Sequence, residues 1–289
     1  MFNHQYDFNI EIPKAVITKE KHDKIFEELL DNKVLIGLCG YGKSGKDFIA
    51  KSFIEDYGFQ RVAFADNIKI EMNTYLKESV FEFLKNHNEW DDWQYDEIEG
   101  GIELIDGRII TIDDIDFQTE DIPLKKRLRP FIIWYGEKLR EINGPCYWVN
   151  QAFKIDAAGH DKIILSDVRR IKELDPFKDS VSFQMRGAES HARAGYLTTI
   201  PHGLKSYTSL LFEVTQLGLT DGDALTIECI QNARENWMFD DTFYVDPRIS
   251  EKGKGRRKAM EVQIKRIAKE FKIVKLDKTI SPRQTKMFN

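Results

Sequence analysis

The residues with the clearest chemical content lie together near the front of the chain. Gly40-Tyr41-Gly42-Lys43-Ser44-Gly45-Lys46-Asp47 fits the spacing G-x-x-x-x-G-K, with Asp where a Ser or Thr usually closes the pattern. Each residue type answers a physical demand. Glycines let successive backbone N–H groups converge on phosphate oxygens, a helix opening just after them adds the positive end of its dipole, and Lys46 can reach the β/γ-phosphates of a nucleotide. A hydroxyl at position 47 would bind Mg²⁺ directly. The Asp47 carboxylate can instead hold the ion through water, take a proton from an acceptor hydroxyl, or do no more than stabilise the helix dipole. The bland alternative for the whole motif is a glycine turn that joins strand to helix without a ligand.

Such a loop works only if a buried strand delivers it and a helix leaves it. Val34–Cys39 (VLIGLC) is a continuous apolar run, as for a strand covered on both faces, and helical spacing follows from about Gly45 to Asp56. Residues 1–32 read as an arm and a helix over Lys21–Leu30. Beyond the loop the pattern predicts a strand at Arg61–Ala65, one long helix from Asn67 to Lys85, and helices at Leu124–Ile142 and Tyr147–Ile155. A strand at Lys162–Ser166, a helical Arg170–Phe177, strands at Val181–Met185 and Thr242–Val245, and a basic helix at Arg256–Phe271 complete the reading. Strands alternate with helices and no segment repeats, which predicts an α/β fold of three layers around a central parallel sheet, with 1–289 as a single domain.

Two segments stand apart. In 90–123, ten acidic residues fall between Asp96 and Asp121, and IELIDGRIITI alternates about Asp106-Gly107, so an inserted acidic hairpin is expected. Residues 186–240 read as a lid or insert. Arg186, Arg193 and Lys205 could close positive charge over a transferring phosphoryl group and exclude water, while His191 and His202 lack the cysteine partners of a zinc pattern.

Several segments, in order, resemble bacteriophage deoxynucleoside monophosphate kinases: the Ser-Gly-Lys-Asp loop, Phe64-Ala65-Asp66-Asn67-Ile68-Lys69, Arg129-Pro130-Phe131-Ile132-Ile133-Trp134-Tyr135-Gly136 with Tyr147-Trp148-Val149, and Ser166-Asp167-Val168-Arg169 with Glu173. Lys43–Phe48, Trp134-x-Gly136-Glu137-Lys138 and Ser166-Asp167-x-Arg169-Arg170 are also similar to animal-type phosphomevalonate kinases. Both groups are P-loop monophosphate kinases. The resemblance runs from about Lys33 to Arg186, with an echo at Asp240–Asp246. It implies a P-loop kinase fold, ATP and Mg²⁺ as cofactors, and ATP contacts at Gly42, Lys43, Gly45, Lys46, Asp47 and Phe48, in a loop that also takes in Gly40 and Ser44. It further implies a phosphorylated small-molecule acceptor held by Asp66, Arg129, Gly136, Trp148, Asp167, Arg169 and Glu173. Lys46, Asp47, Asp167 and Arg169 would be catalytic, with Asp47 and Asp167 serving Mg²⁺ through water.

Physical chemistry gives these positions separate rationales and separate bland readings. Arg129 offers a bidentate fork for a phosphate, yet belongs to a run of charges that can simply solvate a helix face. Trp148 could stack on a base, and Trp134 and Trp148 could equally be core. Asp167, at the carboxyl end of a parallel strand, suits a carboxylate near Mg²⁺, or it caps the next helix. Arg169 can face the transferring group. One departure matters: the phage enzymes typically carry Gln, which can read a base edge, where this chain has Ile133.

The net charge of −5 hides an asymmetry. Residues 251–289 carry +9 and the preceding 250 residues −14, so an acidic body ends in a basic segment able to follow a DNA backbone. Cys39, Cys146 and Cys229 show no C-x-x-C spacing, which points to a reducing, cytoplasmic setting; no apolar run reaches membrane-spanning length. The expected function is an ATP-dependent phosphotransferase acting on a deoxynucleoside monophosphate. Transfer to a hydroxyl, on a modified base in DNA or on a metabolite, transfer to phosphomevalonate, and a non-enzymatic nucleotide switch are the alternatives. A homodimer is compatible with this reading.

Overall fold

The computed structural model describes residues 8–41, 44–86, 95–96, 100–103, 107–178, 208–216, 224–236, 238–245, 254–271 and 273. The chain gathers into two compact units, one of residues 1–25 and 63–152, the other of 26–62 and 153–289.

The second unit is built on a five-stranded parallel sheet. Its strands are β1 (Val34–Cys39), β2 (Gln60–Val62), β6 (Lys162–Val168), β7 (Thr208–Gln216) and β8 (Asp241–Val245), in the order β2-β6-β1-β7-β8. Alternate residues of β1 explain why it is apolar throughout. Ile36 and Leu38 join a core with Ile49 and Phe53 of α1 (Lys46–Tyr57), and with Met260, Ile264 and Ile267 of the C-terminal helix Lys254–Glu270. On the opposite face Gly37 leaves room for Phe177: a Cβ there would sit 2.3 Å from the Phe177 ring and 2.8 Å from Leu211. Parallel strands covered on both sides have to be apolar at every position.

The other unit holds α2 (Phe64–Tyr75), α3 (Lys77–Asn86), a small sheet of β3 (Tyr95–Asp96), β4 (Gly101–Glu103) and β5 (Ile109–Ile110), and α4 (Ile122–Asn143). The first residues of α5 (Tyr147–Ile155) also belong to it. Phe8 stacks on Phe131 at 4.2 Å between ring centroids and meets Phe83 and Trp134 edge-on, tying the N-terminal arm into the core. The antiparallel pairing Ile102↔Ile110 matches the expected hairpin, and Gly107 takes the left-handed φ of +80° in its turn. Ile102, Ile110, Ile115 and Phe117 are core residues, so the described part of this acidic segment is structural as well. The remaining helices are α6 (Asp175–Lys178), α7 (Ala224–Glu235) and α8 (Lys254–Glu270). The architecture is α/β with a central parallel sheet, compatible with three layers.

Four expectations are corrected. Lys21–Leu30 is not a helix; only a 3₁₀ turn at Glu27–Leu29 forms, because the His22 backbone is held elsewhere, its N–H donating to Asn143 O at 2.6 Å and its carbonyl accepting from Cys146 N at 2.8 Å. The long helix from Asn67 to Lys85 is two, broken at Leu76 (φ −121°, ψ 0°), a buried residue. The strand expected to reach Ala65 stops at Val62, and Phe64 opens α2.

The largest correction concerns 186–240. Thr208–Gln216 is no lid: it is β7, a direct neighbour of β1, with Leu210, Leu211, Phe212 and Val214 buried, and Ala224–Glu235 is the covering helix α7. Residues 186–205 and the strand expected at Val181–Met185 lie outside the described residues.

Candidate active site

The glycine loop leaves the carboxyl end of β1, which lies in the middle of the sheet. From β1 the chain goes to β2 on one side, and from β7 to β8 on the other. The crevice beyond their carboxyl ends is therefore a topological switch point, where open α/β sheets bind ligands. Gly40 is demanded by packing, since a Cβ would lie 2.1 Å from the Val214 carbonyl oxygen of β7. Gly45 precedes the first turn of α1 with φ +97°, a left-handed conformation that favours glycine. Ser44 is buried, Asp47 is exposed on the first turn of α1, and Phe48 packs partly against the sheet core. Gly42 and Lys43 lie outside the described residues.

Lys46 is only 6% exposed, and its ammonium donates to the carbonyls of Gly40 (2.8 Å) and Tyr41 (2.6 Å) within its own loop. Burial and then the neighbouring Arg169 guanidinium push it down to about 8, against the opposing pull of Cys39, Asp47 and Asp167. Two cations sharing a poorly solvated corner make it electropositive.

Arg169 follows β6, whose Val168 is in register with Cys39, so Asp167 and Arg169 reach the sheet edge from which the phosphate loop leaves. Both are half-buried, and the Arg169 Nε is buried with no hydrogen-bond partner among the described residues. Glu173 was expected to touch the acceptor. It is 4% exposed, and its Oε2 accepts the backbone N–H groups of Arg169 (2.8 Å) and Arg170 (2.9 Å), so it positions the turn that carries Arg169.

In the other unit, Asp66 lies half-buried in the first turn of α2, 3.7 Å from Lys69, and Arg129 is exposed on α4. Two further acceptor candidates are buried there. Trp148 is 1% exposed and its indole N–H donates to the Gly136 carbonyl at 3.0 Å, so it sits in the core of this unit. Gly136 is buried against Ile68, whose tip would lie 3.1 Å from a Cβ; its smallness serves helix packing.

Two features escaped the sequence reading. Glu213 of β7, in register with Cys39, is 8% exposed and is gripped by Arg234 of α7 through Nε (3.2 Å) and Nη2. The run SLLFEV at 209–214 was its signal, a strand apolar on both faces that ends in a charge. In the other unit, Glu71 of α2 accepts from the Tyr135 hydroxyl (2.7 Å) and the Tyr147 hydroxyl (3.5 Å), a pairing across helices that spacing cannot reveal.

No protein-family model matches the chain, and no curated protein is significantly similar to it. Among the described residues no group of three or more His, Cys, Asp or Glu side chains could hold a metal ion, and no helix is long and apolar enough to cross a membrane. Cys39, Cys146 and Cys229 are free and buried.

Proposed function

We propose that this chain is a Mg²⁺-dependent P-loop kinase of three-layer fold, moving the γ-phosphoryl group of ATP to a small phosphorylated acceptor, a deoxynucleoside monophosphate. The observation that carries the reading is the buried Lys46 ammonium beside Arg169, under a glycine loop at the sheet's switch point. The chain's own groups fit a bound polyphosphate. Lys46 can trade the Gly40 and Tyr41 carbonyls for phosphate oxygens, and the buried Arg169 Nε supplies a donor that lacks a partner. ATP with Mg²⁺ would supply the activated phosphoryl group. With no all-protein metal cage among the described residues, the ion would rest on phosphate oxygens and water, with Asp47 or Asp167 as the protein's share.

A phosphate acceptor is already an anion, so no general base is required. Lys46 and Arg169 then act by alignment and by neutralising charge, and Glu173 keeps Arg169 in place. ATP consumption measured against a panel of deoxynucleoside monophosphates tests this: one or more should stimulate turnover, and Lys46→Ala should abolish it. Silence from every monophosphate refutes the acceptor. Tight ATP binding without transfer to any acceptor supports the switch reading instead.

A second reading, transfer to a hydroxyl of a modified base in DNA, draws on α8. Arg257, Lys258, Lys265 and Lys269 are exposed along it while Met260, Ile264 and Ile267 face the core. Salt-dependent DNA binding lost with residues 254–289 would favour it.

A further inference from the structure

The central sheet has two edges, and they are protected in different ways. β2 is three residues long and carries the exposed Arg61, so shortness and charge leave little for another strand to pair with. β8 closes the other side, and among the described residues no strand lies beyond it. Its Thr242-Phe243-Tyr244-Val245 run holds only strand-favouring residues, with no Lys, no Pro and no charge after Asp241. Left bare, such an edge would offer its N–H and C=O groups to any extended chain that met it.

Those groups are occupied by side chains. The Tyr244 N–H donates to Gln263 Oε1 at 2.9 Å, and Gln263 Nε2 donates back to the Tyr244 carbonyl at 2.8 Å. A primary amide carries the same acceptor and donor as a peptide group, so Gln263 makes the two bonds that the backbone of a further strand would make. Both groups of Tyr244 therefore point away from β7, and by the two-residue period of a strand those of Thr242 do too. The Thr242 N–H is taken by Asp241 Oδ1 at 2.7 Å, while Arg266, one helical turn on from Gln263, holds Asp241 Oδ2 at 2.7 Å. α8 can present these side chains because Met260, Ile264 and Ile267 anchor it in the sheet core. Tyr244 (42% exposed) and Val262 (60% exposed) leave apolar surface at residues adjoining the seal.

We propose that Gln263 is a guard on the β8 edge, which keeps a second copy of this chain from adding its own β8 to the sheet. The guard acts by occupancy, since an incoming strand must first displace both amide bonds. A second copy is the occupant to be kept out, because an edge strand meeting its own copy about a two-fold axis pairs antiparallel and satisfies both edges at once.

Sedimentation velocity of the full chain at rising concentration tests this with two variants, Gln263→Ala and Gln263→Lys. Both remove the same two hydrogen bonds, but only alanine leaves an uncharged open edge; lysine puts there the charge by which natural edges repel pairing. Wild type and Gln263→Lys should sediment alike at every concentration, whereas Gln263→Ala should shift to dimers and larger species. Amide exchange then locates the contact. In Gln263→Lys the Tyr244 amide should exchange about three- to tenfold faster than in wild type, as loss of one hydrogen bond implies, and in associated Gln263→Ala it should be protected again. Gln263→Ala that sediments like wild type, equal association of both variants, an unprotected Tyr244 amide in the associated species, or loss of folding in Gln263→Ala would each overturn the proposal.

Discussion

Lys46 offers a quantitative handle on the proposed polyphosphate site. In the unliganded chain its ammonium lies at about 8 in place of 10.5, through burial first and the Arg169 charge second. At pH 8 roughly half the Lys46 population is therefore neutral. A polyanion bound against this ammonium favours its charged form and returns it toward the ordinary value, a change worth about 3 kcal/mol. Binding of ATP or pyrophosphate at pH 8 should then draw about 0.5 proton per ligand from the buffer, and almost none at pH 6.5, where Lys46 is already charged. Calorimetric titrations in two buffers of different ionisation enthalpy read this number, with Lys46→Met as the reference for protons taken by other groups. The unliganded protein provides a sign check. A lysine depressed in the folded state leaves the unfolded chain binding more protons between about pH 8 and 10.5, so the Lys46 contribution to stability rises with pH across that window. Lys46→Met should lack that rise. Equal proton uptake by wild type and Lys46→Met at pH 8 would refute a polyphosphate seated on Lys46.

Two further substitutions separate positioning from packing. Glu173→Ala leaves two buried N–H groups without their acceptor and should cost about 2 to 4 kcal/mol in denaturant unfolding, whereas Glu173→Gln, which keeps an oxygen for both, should recover most of it; equal loss in both variants would remove the turn-holding role. Trp148→Phe deprives the Gly136 carbonyl of its indole donor and should lower stability by about 1 kcal/mol or more, with the KM for monophosphates unchanged. A raised KM at unchanged stability would restore Trp148 to the acceptor site.

Continuous apolar runs made the central sheet legible in part. Val34–Cys39 and most of Lys162–Val168 are buried, as short apolar runs without helical or alternating period imply. The same signal in Ser209–Val214 lay between segments of weak periodicity and is interrupted by Glu213, whose charge is matched by Arg234, 21 residues on in α7. The strand, glycine loop and helix around Gly40, Gly45 and Lys46 were legible because the pattern that marks them is local in sequence. The backbone bonds of Glu173 were not legible, since a carboxylate turned to its own backbone looks, in sequence, like one turned to a substrate. Trp148 shows the same ambiguity. Its donor target, Gly136, is twelve residues away on the preceding helix. Glu71 was invisible because its partners, Tyr135 and Tyr147, are 64 and 76 residues distant.

The order of the sheet also constrains how the chain can be made. β1 is synthesised before both of its neighbours in the sheet, since Val34 pairs with Lys162 on one side and with Thr208 on the other. At roughly 5 to 20 residues per second, β1 waits roughly 9 to 35 seconds between its own synthesis and that of its second neighbour. Throughout that interval an apolar strand with two unpaired edges is exposed, which is the condition under which chains pair with one another instead of with themselves. The residues between β2 and β6, by contrast, bury Phe131, Trp134 and Leu139 against α2 and α3 over separations much shorter than that from β1 to β7, and can collapse earlier. Yield and solubility during expression should thus depend on how fast β7 arrives more than on the final stability of the folded sheet.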